Sequence, residues 1–188
     1  MDKLKLLLYL PFCWLWIGNY LLSSQKKKIK MDIDRFCVVH YGSKPHNYLF
    51  ALHKEFVVFK EFRSIFYKRI GKWRKLWSWL APPQIYLGFD VPREKIGGGI
   101  FIQHGYCTDM ACRSIGDNCW INQKVTVAYR GKECPTIGNN VRIGAGAIIL
   151  GGVSIGDNAK IAAGAIVVKD VPANCTVACQ PAQIVRRR

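Results

Sequence analysis

From Ile137 onward the apolar positions recur every six residues: Ile137, Ile143, Ile149, Ile155, Ile161 and Val167. A small or branched residue follows each by four positions, at Val141, Ala147, Val153, Ala159, Ala165 and Val171. An earlier run in the same pattern holds Ile115, Ile121 and Val127, and Ile96 and Ile102 precede it. A period of six is neither the 3.6 of a helix nor the 2 of a simple strand. It describes one flat side of a triangular coil, so that three hexads make a turn and the aliphatic side chains stack inward. A β-sandwich of short strands would not hold so rigid a period. The pattern therefore predicts a mainly β solenoid, a parallel β-helix. Glycine and asparagine follow the anchors, as in Ile115-Gly116-Asp117-Asn118, where positive φ at a bend is easiest for these residues.

The phase breaks in the body of the repeat. Val127 and Ile137 are ten residues apart, which leaves four extra in Ala128–Thr136. Those residues must leave the coil as a loop, and a loop held by a rigid scaffold is a favoured place for function.

Upstream the pattern is different. Leu4 to Leu22 is almost uninterrupted apolar sequence with Lys5 as its one charge. As a helix it would run about 28 Å, against a hydrocarbon core of about 30 Å. Pro11 and Asn19 argue against a clean span, while Trp14, Trp16 and Tyr20 are types that settle at membrane interfaces. Attachment to the cytoplasmic face of a membrane through residues 4–22 is the expectation, with Lys26, Lys27, Lys28 and Lys30 beside the lipid. Packing of this helix on the protein's own core is the alternative. Between Lys44 and Leu80 aromatic and basic residues interleave; Phe59, Phe62, Phe66 and Ile70 fall on one helical face, with Arg63, Lys68 and Lys75 expected on a solvated one. Gly71 interrupts that helix and Ala81-Pro82-Pro83 ends it. The resulting organisation is a hydrophobic segment at 1–24, a basic-aromatic helical prelude at 25–84, the β-helix at 85–172 and a tail at 173–188.

Composition narrows the partners. The chain has 188 residues, half of them apolar, and a formal net charge of +16 from 28 basic and 12 acidic side chains. That excess favours a polyanion: an anionic membrane, nucleic acid or a phosphate-rich cofactor. No nucleic-acid motif accompanies the basic run, so nucleic acid is not expected. The eight cysteines include no C-x-x-C pair, which signals neither a zinc site nor a disulfide framework. No metal is expected.

The hexads from Ile96 to Val167, with Gly99-Ile-Phe-Ile-Gln-His-Gly105, Cys134-Pro-Thr-Ile-Gly-Asn-Asn-Val141 and Val167-Val-Lys-Asp-Val-Pro172, resemble hexapeptide-repeat acyltransferases. The likeness is to serine acetyltransferases and to relatives that acetylate sugars of surface polysaccharide. It covers residues 85 to 185 or so. It implies a left-handed parallel β-helix, a homotrimer with sites between neighbouring coils, and acetyl-CoA as acyl donor. The family's catalytic histidine matches His104 and its partner aspartate matches Asp90, one residue closer than usual. Family contacts to CoA map onto Ala145, Ala163 and Gly164. Two acceptor positions depart from the serine enzymes: Gln103 stands where they carry aspartate, and Cys134 where they carry histidine. In chemical terms, an acceptor hydroxyl needs a base to take its proton, imidazole titrates near neutrality, and a carboxylate can orient the ring. The expected activity is acetyl-CoA-dependent transfer to a hydroxyl of a sugar or of serine. The alternative is a non-catalytic, membrane-associated β-helix scaffold.

Overall fold

A computed structural model describes residues 2–76 and 78–179; the end of the expected tail, beyond Cys179, lies outside the described residues. The hexads fold as predicted into a left-handed parallel β-helix of about five turns behind a helical segment. The first flat side stacks Leu87–Asp90, Thr108–Ala111, Thr126–Ala128, Ile148–Leu150 and Ile166–Val167. The second stacks Ser114–Ile115, Thr136–Ile137 and Ser154–Ile155, and the third runs from Phe101–Gln103 up to Thr176–Val177. That last pairing, with Lys160–Ile161, carries the coil past Pro172 into the segment read as a tail.

Register explains the sequence period. Ile102, Ile121, Ile143, Ile161 and Val177 pair in succession on the third side, and the first four are buried. Each such side chain contributes roughly 1.5–3 kcal/mol by leaving water. At the corners the positive φ falls on Asn118, Asn140, Asn158 and Asn174, and the amides of the last three form a ladder: Asn140 Nδ2 donates to Asn158 Oδ1 at 3.1 Å, and Asn158 Nδ2 to Asn174 Oδ1 at 2.9 Å. The glycines before them serve a different purpose from the one expected. A Cβ on Gly116 would lie 2.5 Å from the carbonyl carbon of Gly138, and one on Gly156 would lie 2.4 Å from the nitrogen of Ala173. They are glycine because successive coils touch there.

Among the described residues five α-helices precede the coil: α1 (Asp2–Tyr9) and α2 (Cys13–Leu22) in the hydrophobic segment, and α3 (Lys26–Tyr41), α4 (Tyr48–Val58) and α5 (Lys60–Ile70) in the prelude. Asn47 Oδ1 caps α4 by accepting from the amides of Leu49 and Phe50, both at 3.0 Å. α5 ends at Gly71, where an interruption was expected, and a 3-10 turn over Gly71–Leu76 follows, so the helix does not run on to Ala81-Pro82-Pro83. α1 and α2 pack on α4, where the Trp16 ring stacks on Phe56 at 4.5 Å. Phe62, Phe66 and Ile70 are buried as the pattern predicts.

The basic face of α5 is a correction. Arg63 is buried, donating from Nε to the carbonyl of Phe56, from Nη2 to that of Val57 and from Nη1 to that of Pro82 at 2.8–2.9 Å. Arg69 is buried too, paired with the buried Asp32 of α3 at 3.0 Å and donating to the carbonyls of Ile96 and Gly97. Asp32 in turn accepts from the amide of Ile100 at 2.9 Å. These arginines bind free backbone carbonyls, and the Asp32–Arg69 pair joins the helices to the first coil.

A second buried carboxyl sets a pH dependence. Burial pushes the Glu55 carboxyl from 4.5 up to about 7, with Cys37 Sγ 3.7 Å and His40 Nδ1 3.8 Å away. A raised carboxyl pKa means that the folded state holds the proton more tightly, so this contribution is full below about pH 4.5 and is lost as pH rises to 7. Glu55→Gln should therefore gain on wild type by about 3 kcal/mol between those limits. Urea unfolding at both pH values checks this; a constant difference would exclude ionisation of Glu55 as the cause.

Candidate functional site

The chain leaves the third side and enters the first at one edge of the prism. In its lowest full turn that corner is widened. Six steps separate Gln103 from Asp109, whereas four separate their strand partners Asn122 and Thr126, so two extra residues stand out from the coil. His104 is in this bulge, exposed and at φ 61. The bulge is backed by packing: a Cβ on Gly105 would meet Ile102, Glu61 and Leu87 at 3.0–3.1 Å. Gln103, just before it, is held in place because its Oε1 accepts from Trp120 Nε1 at 3.3 Å. Two guanidinium groups lie over the Trp120 ring, Arg142 at 5.5 Å and Arg35 at 5.7 Å from its centroid.

The same edge continues upward through Lys124, Gly146 and Gly164, at φ 58, 69 and 69. The Gly164 amide donates to the Ala145 carbonyl at 2.9 Å. Beside them Gly144 has no space for a side chain, since a Cβ would lie 2.5 Å from the nitrogen of Ala163. Gly146 and Gly164, in contrast, have nothing within 4 Å of a Cβ, so backbone is open along the edge. A groove of about 320 Å³ runs beside it, lined by Gln103, Trp120, Arg142, Lys160 and Ala163 among others. Thus His104, Gln103, Ala145, Ala163 and Gly164 follow one another along one edge and its adjoining side. The exposed backbone and the Arg142 and Lys160 cations suit an extended, phosphate-bearing thioester.

Asp90 and Cys134 are elsewhere. Asp90 ends its strand opposite Ala111, whereas the His104 corner enters the same side near Leu87 and Thr108. Three residues of strand span about 10 Å, and Asp90 and His104 form no hydrogen bond or ion pair within the single chain among the described residues. Asp90 instead acts on Lys68, whose Nζ donates to the Phe89 carbonyl at 2.8 Å and whose pKa is lowered by burial, with Asp90 opposing. Cys134 sits in the extruded loop with Tyr129, whose phenol is pushed above its ordinary value first by Cys134 and then by Asp90. Arg130 and Glu133 pair across that loop and rest on Gly151 and Gly152 of the next turn. Nearby Cys112 is buried, and burial pushes its thiol up to about 12, the wrong direction for an acyl-accepting nucleophile.

The sequence reading did not single out Tyr129, Trp120 or Arg142. Tyr129 had a signal, its place in the four-residue insertion. Trp120 and Arg142 had only their hexad phase, one and two turns above Phe101.

Residues 134–169 match the family model described as bacterial transferase hexapeptide (six repeats). The serine acetyltransferase of Synechocystis sp. is 47% identical over 117 residues, 59% of this chain and 46% of that protein. That of Synechococcus elongatus is 44% identical over 110 residues, 55% of this chain and 45% of that protein. The chain spans about half the length of the curated relatives it matches. Among solved structures, Neisseria gonorrhoeae serine acetyltransferase superposes with a TM-score of 0.66 at 29% identity, over 92% of this chain and 69% of that one. Brucella abortus serine acetyltransferase in complex with coenzyme A gives 0.61 at 27% identity, over 85% and 67%. Residues 134–169 carry the bacterial transferase hexapeptide repeat, and the β-helix is similar to that of the serine acetyltransferases.

Proposed function

We propose that this protein is an O-acetyltransferase that moves the acetyl group of acetyl-CoA to a hydroxyl, with His104 as general base. The observation that carries the reading is His104 raised on a widened corner of the same edge whose backbone lies open at Gly146 and Gly164. The pantetheine arm runs along that edge past Ala145, Ala163 and Gly164, and its thioester reaches the histidine. The imidazole takes the acceptor's proton as the oxygen attacks the thioester carbon. The C–O bond forms, the C–S bond breaks, and the proton passes to the departing sulfur. A backbone N–H of a neighbouring turn serves the oxygen that gains charge.

One chain offers half a cleft, because the edge bearing Asp90, Tyr129 and Cys134 faces away from the edge bearing His104. A homotrimer of side-by-side prisms lays one chain's Asp90 edge against the next chain's His104 edge, where Asp90 orients the ring. Acetyl-CoA is a cytosolic metabolite, so the working site is the cytoplasm, and attachment to the cytoplasmic face of a membrane through residues 4–22 belongs to the same reading.

At the acceptor end Gln103, Trp120 and Arg142 present an amide, an aromatic face and a cation, with no carboxylate among the residues that line the groove. An amino acid's ammonium has no counter-charge there, while sugar hydroxyls can pair with the amide. Purified full chain, supplied with acetyl-CoA and a panel of acceptors, should release CoA faster with a sugar or glycolipid than with L-serine, and Gln103→Asp should improve serine use. Saturable serine acetylation at a kcat/KM on the order of 10⁴ M⁻¹s⁻¹ would overturn the acceptor assignment. Failure to release CoA with any acceptor would favour the non-catalytic scaffold.

A further inference from the structure

Lys3–Leu22 is 20 residues long with a mean hydropathy of 1.3, enough by length and composition to cross a bilayer, and 11% of it is buried. Its inner face is nevertheless committed to the protein. Trp16 and Tyr20 are buried, Tyr9 Oη donates to the Leu80 carbonyl at 3.1 Å, and His53 Nε2 meets the Leu6 carbonyl at 3.1 Å. α4, on which it packs, carries the buried Glu55, and neighbouring α5 the buried Arg63 and Arg69. Such a layer does not enter hydrocarbon, so the segment lies flat with its outer face uncovered.

That outer face is apolar and large. Leu22 is 89% and Trp79 77% exposed, and Leu4, Leu7, Leu8 and Trp14 are all more than half exposed. Between them runs a groove of about 900 Å³, with Phe12, Trp14 and Leu22 on one wall and Trp73 and Trp79 on the other. The far wall comes from residues more than fifty positions later in the chain, so two separate segments build one apolar surface. At the groove's end Arg93 also lines a second pocket, of about 500 Å³, that holds Lys68, Lys72, Arg74 and Lys75. Among the described residues no carboxylate lines either one. Arg93 crosses Gly71, with Nη1 2.9 Å from where a Cβ would be, and its Nε donates to Glu94 Oε1 at 2.7 Å.

We propose that this is a monotopic docking surface for an anionic lipid bilayer: the tryptophans and leucines enter the acyl boundary, and the basic pocket around Lys72, Arg74 and Lys75 takes lipid phosphates. It rests on the membrane placement given above and adds the mode, flat and peripheral, and a headgroup site outside residues 4–22. Charge complementarity selects the occupant, since a ring of cations beside an apolar, tryptophan-rimmed groove matches phosphate above hydrocarbon.

Flotation of the full chain with liposomes tests it. Wild type should float with phosphatidylcholine–phosphatidylglycerol vesicles, much less with phosphatidylcholine alone, and less as salt is raised. Lys72→Glu/Arg74→Glu/Lys75→Glu should weaken binding by about 100-fold or more, and Trp14→Asp/Trp79→Asp should abolish it. Both variants should keep the wild-type thermal melt; the charge variant changes only exposed side chains, so it remains decisive if the tryptophan variant misfolds. Alkaline carbonate should release the bound protein. Equal binding to neutral vesicles, or carbonate resistance, would overturn the proposal, the latter in favour of a spanning helix. So would a change of oligomeric state in the tryptophan variant with flotation intact, which would make the face a contact between copies. Acetyl transfer assayed in parallel separates the two readings: flotation lost with transfer intact overturns docking alone, and flotation without transfer supports docking and overturns the enzymatic reading.

Discussion

Replacing His104 with alanine is expected to lower kcat by about 10²–10⁴-fold while the far-ultraviolet spectrum and melting temperature stay at wild-type values. The fold should tolerate the change because His104 is exposed, in a bulge that carries none of the aliphatic columns of the coil. Near-normal kcat would remove His104 from the mechanism. Asp90→Asn should also slow turnover, and mixing tests where Asp90 acts. If the carboxylate reaches the histidine of a neighbouring chain, trimers assembled from His104→Ala and Asp90→Asn subunits contain some sites with both groups intact and regain activity. Trimers in which activity stays at the level of the parents would show that the site is not shared between the Asp90 and His104 edges of different chains. A monomer by light scattering, with full activity, would exclude the shared cleft altogether.

The largest effect on stability is expected at the junction of helices and coil. Asp32→Ala leaves the Arg69 guanidinium buried without its counter-charge, and breaking one side of such a pair destabilises by about 3–5 kcal/mol. The amide of Ile100 loses its acceptor at the same time. Burial pushes the Asp32 carboxyl up, and Arg69 opposes that shift from 3.0 Å. An Asp32→Leu/Arg69→Met double variant should recover part of the loss, since no unpaired charge then remains at that junction. Urea unfolding of the three proteins decides it: a single variant within 1 kcal/mol or so of wild type would mean that water reaches Arg69.

The two effects fall on different parts of the molecule. His104 stands where the coil departs from its period, and the Asp32–Arg69 pair where the coil begins. A solenoid exposes backbone at its first turn, and the prelude supplies side chains to satisfy it: Arg69 for the carbonyls of Ile96 and Gly97, Asp32 for the amide of Ile100. The same helices carry the apolar outer face, so one layer both caps the coil and offers the surface proposed to meet lipid.

By itself the sequence determined the solenoid, because each hexad repeats one local geometry and Ile102, Ile121, Ile143 and Ile161 needed only their spacing to reveal a column. It also placed the Ala128–Thr136 loop, through the break in phase, and made His104 a candidate through the motif Gly99–Gly105. The glycines at 116, 138 and 156 were visible, but their cause was not: a close approach between turns is a contact between residues far apart in the chain. For the same reason the fate of Arg63 and Arg69 was decided only by tertiary structure. Helical periodicity says which way a side chain points, not whether unpaired carbonyls wait there, and both arginines turned inward to meet such groups. Nor could spacing tell that Asp90 and His104 stand on different edges. Near-full turns between two residues look alike in sequence, while two residues added at one corner and three steps along a strand separate the groups by about 10 Å.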